Sequence, residues 1–321
     1  MSQEITQAEI AALYNTPLLD LVFKAASLHR ENNNADEVQL CSLHSIKTGG
    51  CSEDCSYCPQ SARYKTSVQA ERLMPLEEVM KRAKAAKETG CSRFCMGAAW
   101  RQVRDNKDFD SVLDMIKGVK QEGLEVCVTL GMLTEEQAQK LKAAGLYAYN
   151  HNIDTSREHY PNVITTRSFD DRLQTLENVR EAGISVCCGG ILGLGETTED
   201  RISFLHTLCN MNPPPESVPI NTLVAVAGTP LAMQKKVPFF DLLRTIATAR
   251  LLMPKAMIRL SAGRYEMSGS EQAFCFMAGA NSIHTGEKLL TTPNCGYSSD
   301  LELLGALGLR PMQAKPRSSE P

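Results

Sequence analysis

Apolar, β-branched segments alternate with amphipathic ones along most of this chain, at a regular period. The short apolar runs predict strands at 42–47, 92–97, 125–130, 146–150, 184–188, 219–224, 257–261 and 282–284. Apolar residues at helical spacing predict helices near 76–89, 110–122, 134–144, 168–182, 197–210, 239–253 and 270–279, with a leading helix near 17–31. Gly90, Gly123, Gly145 and Gly183 each follow a helical run and precede a strand, where a left-handed C-terminal residue is wanted. Thr134, with Gln137 three residues on, has the spacing of a capping box.

Eight strand–helix units over about 250 residues predict an α/β fold, a (β/α)8 TIM-type barrel with an N-terminal helical extension. A doubly wound open sheet is the alternative arrangement of the same units. The expected divisions are an extension over 1–35, a barrel over 36–308 and a tail over 309–321, whose polar end AKPRSSEP reads as disordered. There is no internal repeat beyond the βα period and no low-complexity tract. A barrel of this kind carries its active-site groups at the C-terminal ends of strands and in the βα loops. The segment directly after the first strand is therefore the first place to look for chemistry.

That segment reads GGCSEDCSYCPQ and contains Cys51, Cys55 and Cys58. The spacing CxxxCxxC brings three thiolates to one small volume and no fourth; Cys91 lies a whole structural unit away. A four-iron cluster held by only three cysteines keeps one iron open for a substrate or cofactor. Buried packing is a weaker reading, because Gly49-Gly50, Pro59 and the polar residues between the cysteines suit a loop rather than a core stripe. Structural zinc is the better rival, but it usually takes CxxC pairs and a closed set of four ligands.

Composition narrows the class further. The 321 residues are 43% hydrophobic, enough for a large core without forcing two domains. Lys and Arg total 34 against 37 Asp and Glu, for a net charge of -3, and no basic tract appears. Nucleic acid is therefore not an expected partner. The N-terminal MSQEITQAEIAALY lacks the charged and apolar regions of a signal peptide, and no apolar run is long enough to span a membrane. We expect a cytoplasmic protein. Twelve cysteines fall well below the density of a disulfide scaffold and suit metal ligands or catalytic groups.

A second constellation lies inside the strands. Cys95, Cys127 and Cys187 fall in three different predicted strands and Arg259 in a fourth. Each cysteine alone reads more readily as packing. Arg259 changes the balance, because a guanidinium in a buried strand needs an anion and its MIRLSAG segment holds no acidic residue. Three inward thiolates around a second iron–sulfur cluster would supply that charge, and three cysteines plus one other donor complete the ligands of a two-iron cluster. Cys188 must face away from Cys187 in a regular strand, so only one of the pair enters the lumen.

Polar residues at strand ends complete the set. YNHNIDTS places Asn150, His151, Asn152 and Asp154 together, either as hydroxyl- or ureido-binding groups or as an Asx-rich turn. GGILGLGE lets backbone approach a ligand but is not a GxGxxG phosphate fingerprint. Asn221 sits polar in an apolar strand and needs a partner or a ligand.

From about Leu18 to about Pro293 the chain resembles the biotin synthase family of the radical S-adenosylmethionine (SAM) superfamily. The segments that carry the resemblance are SIKTGGCSEDCSYCPQSARY, RFCMGAAW, YNHNIDTS, GGILGLGE, PPESVPIN, RLSAGR and CFMAGANSI. CxxxCxxC alone specifies the superfamily, and the set specifies the family. The resemblance implies a (β/α)8 barrel in which Cys51, Cys55 and Cys58 hold a 4Fe–4S cluster with SAM on its open iron. It places Cys95, Cys127, Cys187 and Arg259 as ligands of a 2Fe–2S cluster, Asn152 and Asp154 near SAM and substrate, and Asn150 and Asn221 near dethiobiotin. It implies a sulfurtransferase in which a 5′-deoxyadenosyl radical removes hydrogen from dethiobiotin and the 2Fe–2S cluster gives up sulfur. No catalytic side chain beyond the cluster ligands is implied. The family further suggests a homodimer served by a flavodoxin-type electron donor. Cys188 and Cys295 are outside its motif, and the C-terminal tail is shorter than its pattern. Two other readings stay open: a radical SAM enzyme acting on another small molecule, and a non-catalytic iron–sulfur electron carrier.

Overall fold

The computed structural model describes residues 4–313. In chain order the elements are helices α1 (Gln7–Tyr14) and α2 (Leu18–Asn32), β1 (Glu37–Lys47), α3 (Leu76–Glu88), β2 (Arg93–Ala98), α4 (Lys107–Gln121), β3 (Glu125–Thr129), α5 (Glu135–Ala143) and β4 (Ala148–Asn150). There follow α6 (Tyr160–Val163), α7 (Phe169–Glu181), β5 (Ser185–Cys187), β6 (Gly190–Leu192), α8 (Thr198–Cys209), β7 (Ser217–Thr222), α9 (Phe239–Leu252) and β8 (Met257–Leu260). The chain ends with α10 (Gly269–Met277), β9 (Ser282–Thr285), α11 (Tyr297–Ala306) and β10 (Arg310–Pro311). Strands β1, β2, β3, β4, β5, β7, β8 and β9 pair in that order and all in parallel, and β1 pairs with β9 to close the ring. The fold is the (β/α)8 barrel, and an open doubly wound sheet is excluded by that closure.

Helix α4 shows why the outer layer forms. Its Phe109, Val112, Met115, Ile116 and Val119 are buried at spacings of three and four, so they share one face. Each is worth roughly 1.5–3 kcal/mol of burial against the sheet. Asn106 accepts from the Phe109 amide and starts the helix three residues earlier than periodicity alone places it. Thr134 and Gln137 form the capping box expected of them. The same device at Thr6 and Glu9 opens α1, an element the apolar pattern did not announce.

The fifth strand differs most from its expected form. The predicted run 184–188 stops at Cys187, and the chain resumes as β6 against the far half of β7. Gly189 lies between them, so close to β7 that a Cβ there would stand 1.9 Å from the Pro219 carbonyl oxygen. Cys187 packs in the lumen and Cys188 in the outer core, so the pair does split between the two faces. Within the segment expected to be a tail, Arg310 and Pro311 pair with Glu37 and Val38 of β1. The residues of AKPRSSEP lie outside the described residues.

The lumen is not filled in the usual barrel manner. Bulky branched residues normally dominate such an interior. Here the inner cluster is Cys41, Cys95, Cys127, Ala148 and Cys187, with Leu43 against it. Register brings these positions together: Leu43 pairs with Cys95, Cys95 with Cys127, Cys127 with Ala148, and Asn150 with Cys187. Small thiols in place of Leu or Ile leave room, and a cavity of about 330 Å³ opens above them.

Candidate active site: two sets of thiols in one cavity

The loop of Cys51, Cys55 and Cys58, called the cube loop for the four-iron cube expected there, is built first by backbone geometry. Gly49 and Gly50 both take left-handed φ, +65° and +70°, which a side chain rarely adopts, and a Cβ on Gly49 would stand 2.9 Å from the Gln69 carbonyl. The chain then doubles back: the Cys51 amide donates to Gln60 O at 3.0 Å, Ala62 N to Cys51 O at 2.7 Å, and Cys58 N to Cys55 O at 2.9 Å. Side chains between the cysteines fasten the loop to the segment after α6. Asp54 accepts from Thr165 N at 3.0 Å, Thr166 N at 3.2 Å and both threonine hydroxyls. Burial opposes ionisation of Asp54, but those hydrogen bonds outweigh it and carry its pKa down to about 2. Glu53, buried, pairs with Arg101 at 3.1 Å and Arg167 at 3.7 Å.

Cys51, Cys55 and Cys58 all line the cavity. Burial pushes the Cys55 thiol up to about 11 and the Cys58 thiol to about 12. Ligation must therefore displace protons, which a cluster's positive irons do. Among the described residues no three His, Cys, Asp or Glu side chains gather tightly enough for a single metal ion. A polynuclear cluster differs in that each thiolate binds its own iron.

The second set sits deeper, on strands. Cys95, Cys127 and Cys187 pack in one cluster, with Cys95 and Cys127 opposite each other on neighbouring strands. The hydrogen bond from Cys127, then the charges of Arg259 and Arg93, pull Cys187 down to about 6 despite burial. Arg259 is 1% exposed. Its Nη1 donates to Cys187 Sγ at 3.5 Å, its Nε to Ser282 Oγ at 2.9 Å and its Nη2 to Gln39 Oε1 at 3.2 Å. No carboxylate among the described residues lies in ion-pair reach of it, so Cys187 is the anionic neighbour that it bonds. The expected electrostatic pairing therefore has its geometric counterpart.

Between the two sets runs the exit of β4. Asn150 Nδ2 donates to Cys187 Sγ at 3.3 Å and to Asn152 Oδ1 at 3.0 Å, and its Oδ1 accepts from Thr129. Asp154, at φ +66°, accepts at Oδ2 from Arg172 Nη2 at 2.6 Å and from Tyr57 Oη at 3.0 Å. Tyr57 belongs to the cube loop, so this strand end is bonded both to that loop and to Cys187. Asn221 is held by backbone on both sides, donating to Gly190 O at 2.9 Å and accepting from Ala262 N at 3.0 Å. All eleven residues singled out from the sequence line this one cavity. Sequence reasoning passed over Cys41, Tyr57, Arg172 and the Glu53–Arg167 pair. Cys41 stands two residues before Leu43 on the same face of β1, and starting that strand at 42 hid it.

Comparison with known proteins decides the family. Residues 45–208 match the family model of the radical SAM superfamily, and residues 219–310 that of the biotin and thiamin synthesis associated domain. The chain is 62% identical to a biotin synthase of Cytophaga hutchinsonii, over 96% of this chain and 92% of the relative. It is 62% identical to the mitochondrial biotin synthase of Arabidopsis thaliana, over 94% of this chain and 80% of the relative. The chain belongs to the biotin synthase family.

It is a radical SAM enzyme of biotin synthesis, and its cofactors are a 4Fe–4S cluster, a 2Fe–2S cluster and SAM. The family's fold extends to distant structures: a methylornithine synthase superposes at TM-score 0.83 with 20% identity, over 97% of this chain and 95% of that one. A FeFe-hydrogenase maturase from Carboxydothermus hydrogenoformans gives 0.80 with 18% identity, over 96% and 76%. Those two likenesses speak for the barrel only. The donor sets fit the family's cofactors on chemistry: three thiols in a glycine-shaped loop, and three strand thiols beside a guanidinium that has no carboxylate partner. Among the described residues no helix is long and apolar enough to cross a membrane.

Proposed function

We propose that this chain converts dethiobiotin to biotin, with Cys51, Cys55 and Cys58 holding the 4Fe–4S cluster and Cys95, Cys127, Cys187 and Arg259 holding the 2Fe–2S cluster. The observation that carries the assignment is a single cavity lined by both thiol sets, with Asn150, Asn152 and Asp154 along the wall between them. When bound, the 4Fe–4S cluster and SAM supply a 5′-deoxyadenosyl radical, and the 2Fe–2S cluster supplies sulfur.

The chain's own part is to position and to exclude water. Asp154 is fixed by Arg172 and Tyr57, so it presents a carboxylate that cannot swing; a ribose or ureido group is the partner it suits. The Asn152 amide oxygen is taken by Asn150 and the Gly189 amide, which leaves its NH2 for a ligand carbonyl or hydroxyl. Asn150, against Cys187, orients a substrate near the strand thiols. Asn221 keeps Gly190 and Ala262 in place and so shapes the wall next to dethiobiotin. Holding the reactants within near-attack distance in a dry barrel is what directs a radical at unactivated C–H bonds. The homodimer, the flavodoxin-type electron donor and the cytoplasmic location are part of this proposal and rest on the family resemblance.

Anaerobic reconstitution tests the whole reading. The loaded chain should carry both clusters by iron and sulfide count and form biotin from dethiobiotin, SAM and reductant. SAM cleavage without biotin would favour another radical SAM substrate, and no SAM cleavage under any reductant would favour an electron carrier.

A further inference from the structure

The barrel chamber holds four thiols, and the proposed ligand set uses three. Cys41 is 0% exposed on β1 and packs with Cys95, Cys127 and Cys187 rather than in the outer core. Its strand pairs with that of Cys95, which extends the run of thiols to four strands. Its position relative to Arg259 is close and specific. Cys41 Sγ reaches Gln39 Oε1 at 3.5 Å and Ser282 Oγ at 3.6 Å. Arg259 donates to the same two oxygens, at 3.2 and 2.9 Å. The thiol and the guanidinium therefore stand side by side over one pair of polar atoms.

The charges in the chamber leave room for a further thiolate once Arg259 is released. Arg93 and Arg259 face the thiols, and among the described residues Glu125 is the carboxylate paired there, with Arg93 at 2.8 Å. Arg93 is 4% exposed, and its Nη1 is buried with no hydrogen-bond partner. Glu125 balances Arg93, so a fourth thiolate on the cluster would have the released, protonated Arg259 beside it as its counter-charge. A packing role for Cys41 explains its burial but not why it shares its partners with Arg259.

We propose that Cys41 is a fourth thiolate ligand available to the two-iron cluster, able to take the iron position of Arg259. In the exchange an iron–nitrogen bond to a neutral guanidine breaks and an iron–sulfur bond to Cys41 forms. The thiol proton passes to the released guanidine, so charge and atoms balance and no oxidant or reductant is needed. The inference rests on the assignment of the second cluster to this chamber. If the reconstituted wild-type chain binds no two-iron cluster, that assignment fails first and separately.

The experiment is a set of anaerobically reconstituted full-length chains: wild type, Cys41→Ser, Arg259→Met and Cys41→Ser/Arg259→Met, with iron, sulfide and resonance Raman spectra measured on each. Arg259→Met should keep its second cluster with an all-thiolate spectrum, and the double variant should lose two irons and two sulfides per chain while the cube persists. A double variant that retains the cluster and spectrum of Arg259→Met overturns the proposal, as does an Arg259→Met chain that holds the cube but no second cluster. A second readout does not depend on any Arg259 variant. In the otherwise wild-type chain, Cys41→Ser should let a chelator strip the second cluster several-fold faster with the cube unchanged, and an unchanged rate overturns the proposal.

Discussion

The cube loop and the barrel chamber present thiols to the same cavity by opposite routes. In the loop, three cysteines lie within eight consecutive residues, and a glycine pair, turns and the Asp54 and Glu53 tethers place them. In the chamber, the thiols come from strands β1, β2, β3 and β5, dozens of residues apart, and parallel register places them. The loop is held by polar bonds at a rim. The chamber is held by the whole hydrogen-bonded barrel and its outer core. A site that must admit and release SAM gains from the first arrangement, and a cluster that must stay shielded from water gains from the second.

The sharpest way to separate the two regions is to delete one proposed ligand from each. Cys51→Ala should abolish SAM cleavage, a loss well beyond the about 10–100-fold cost of changing an outer-shell partner, while the two-iron absorption survives. Cys95→Ala should do the reverse, removing the two-iron spectrum and biotin formation but leaving the cube and methionine release. Loss of both clusters in either variant would show that the cysteines are partitioned wrongly.

Next in size is the tether. Asp54→Ala removes an ionised acceptor of four hydrogen bonds and should destabilise the loop by about 1–3 kcal/mol, since bonds to charged groups fall in that range. Its acid counterpart has a definite sign. A carboxylate depressed to about 2 in the folded chain stabilises the fold above its unfolded value of about 4. That contribution fades as pH falls from about 4 to about 2. Trp100, the sole tryptophan, lines the cavity beside Arg101, which pairs with Glu53, so its fluorescence in the metal-free chain should report the release. An identical acid titration in Asp54→Asn would separate the tether from this behaviour.

The smallest expected effect falls just outside the chamber. Cys188 neighbours Cys187 in sequence but packs in the outer core. Cys188→Ala should cost about 1 kcal/mol, the typical size for a conservative core change, and leave both cluster spectra as they are. A spectral change there would mean that the two faces of β5 are not independent.

Local chemistry was legible in the chain itself. The alternation of apolar runs and helical stripes carried the barrel, because strand and helix periods are set within a few residues. The glycine-flanked CxxxCxxC carried the cube loop for the same reason. Arg259 announced the chamber because a charge in a buried strand demands a partner wherever the fold puts it. The break of β5 at Gly189 and the hold of backbone on Asn221 were not legible, since both depend on how closely β6 and β7 approach. Nor was the junction of Asp154 with Arg172 and Tyr57, which joins three separate segments. Cys41 shows the limit most plainly. Its sequence neighbourhood is that of any buried strand residue, and only closure of β1 against β9 and β2 sets its thiol beside Arg259 and Cys95. Residue type and local spacing name the candidate thiols; closure of the barrel decided which of them meet, because inter-strand register is a long-range property that no local segment encodes.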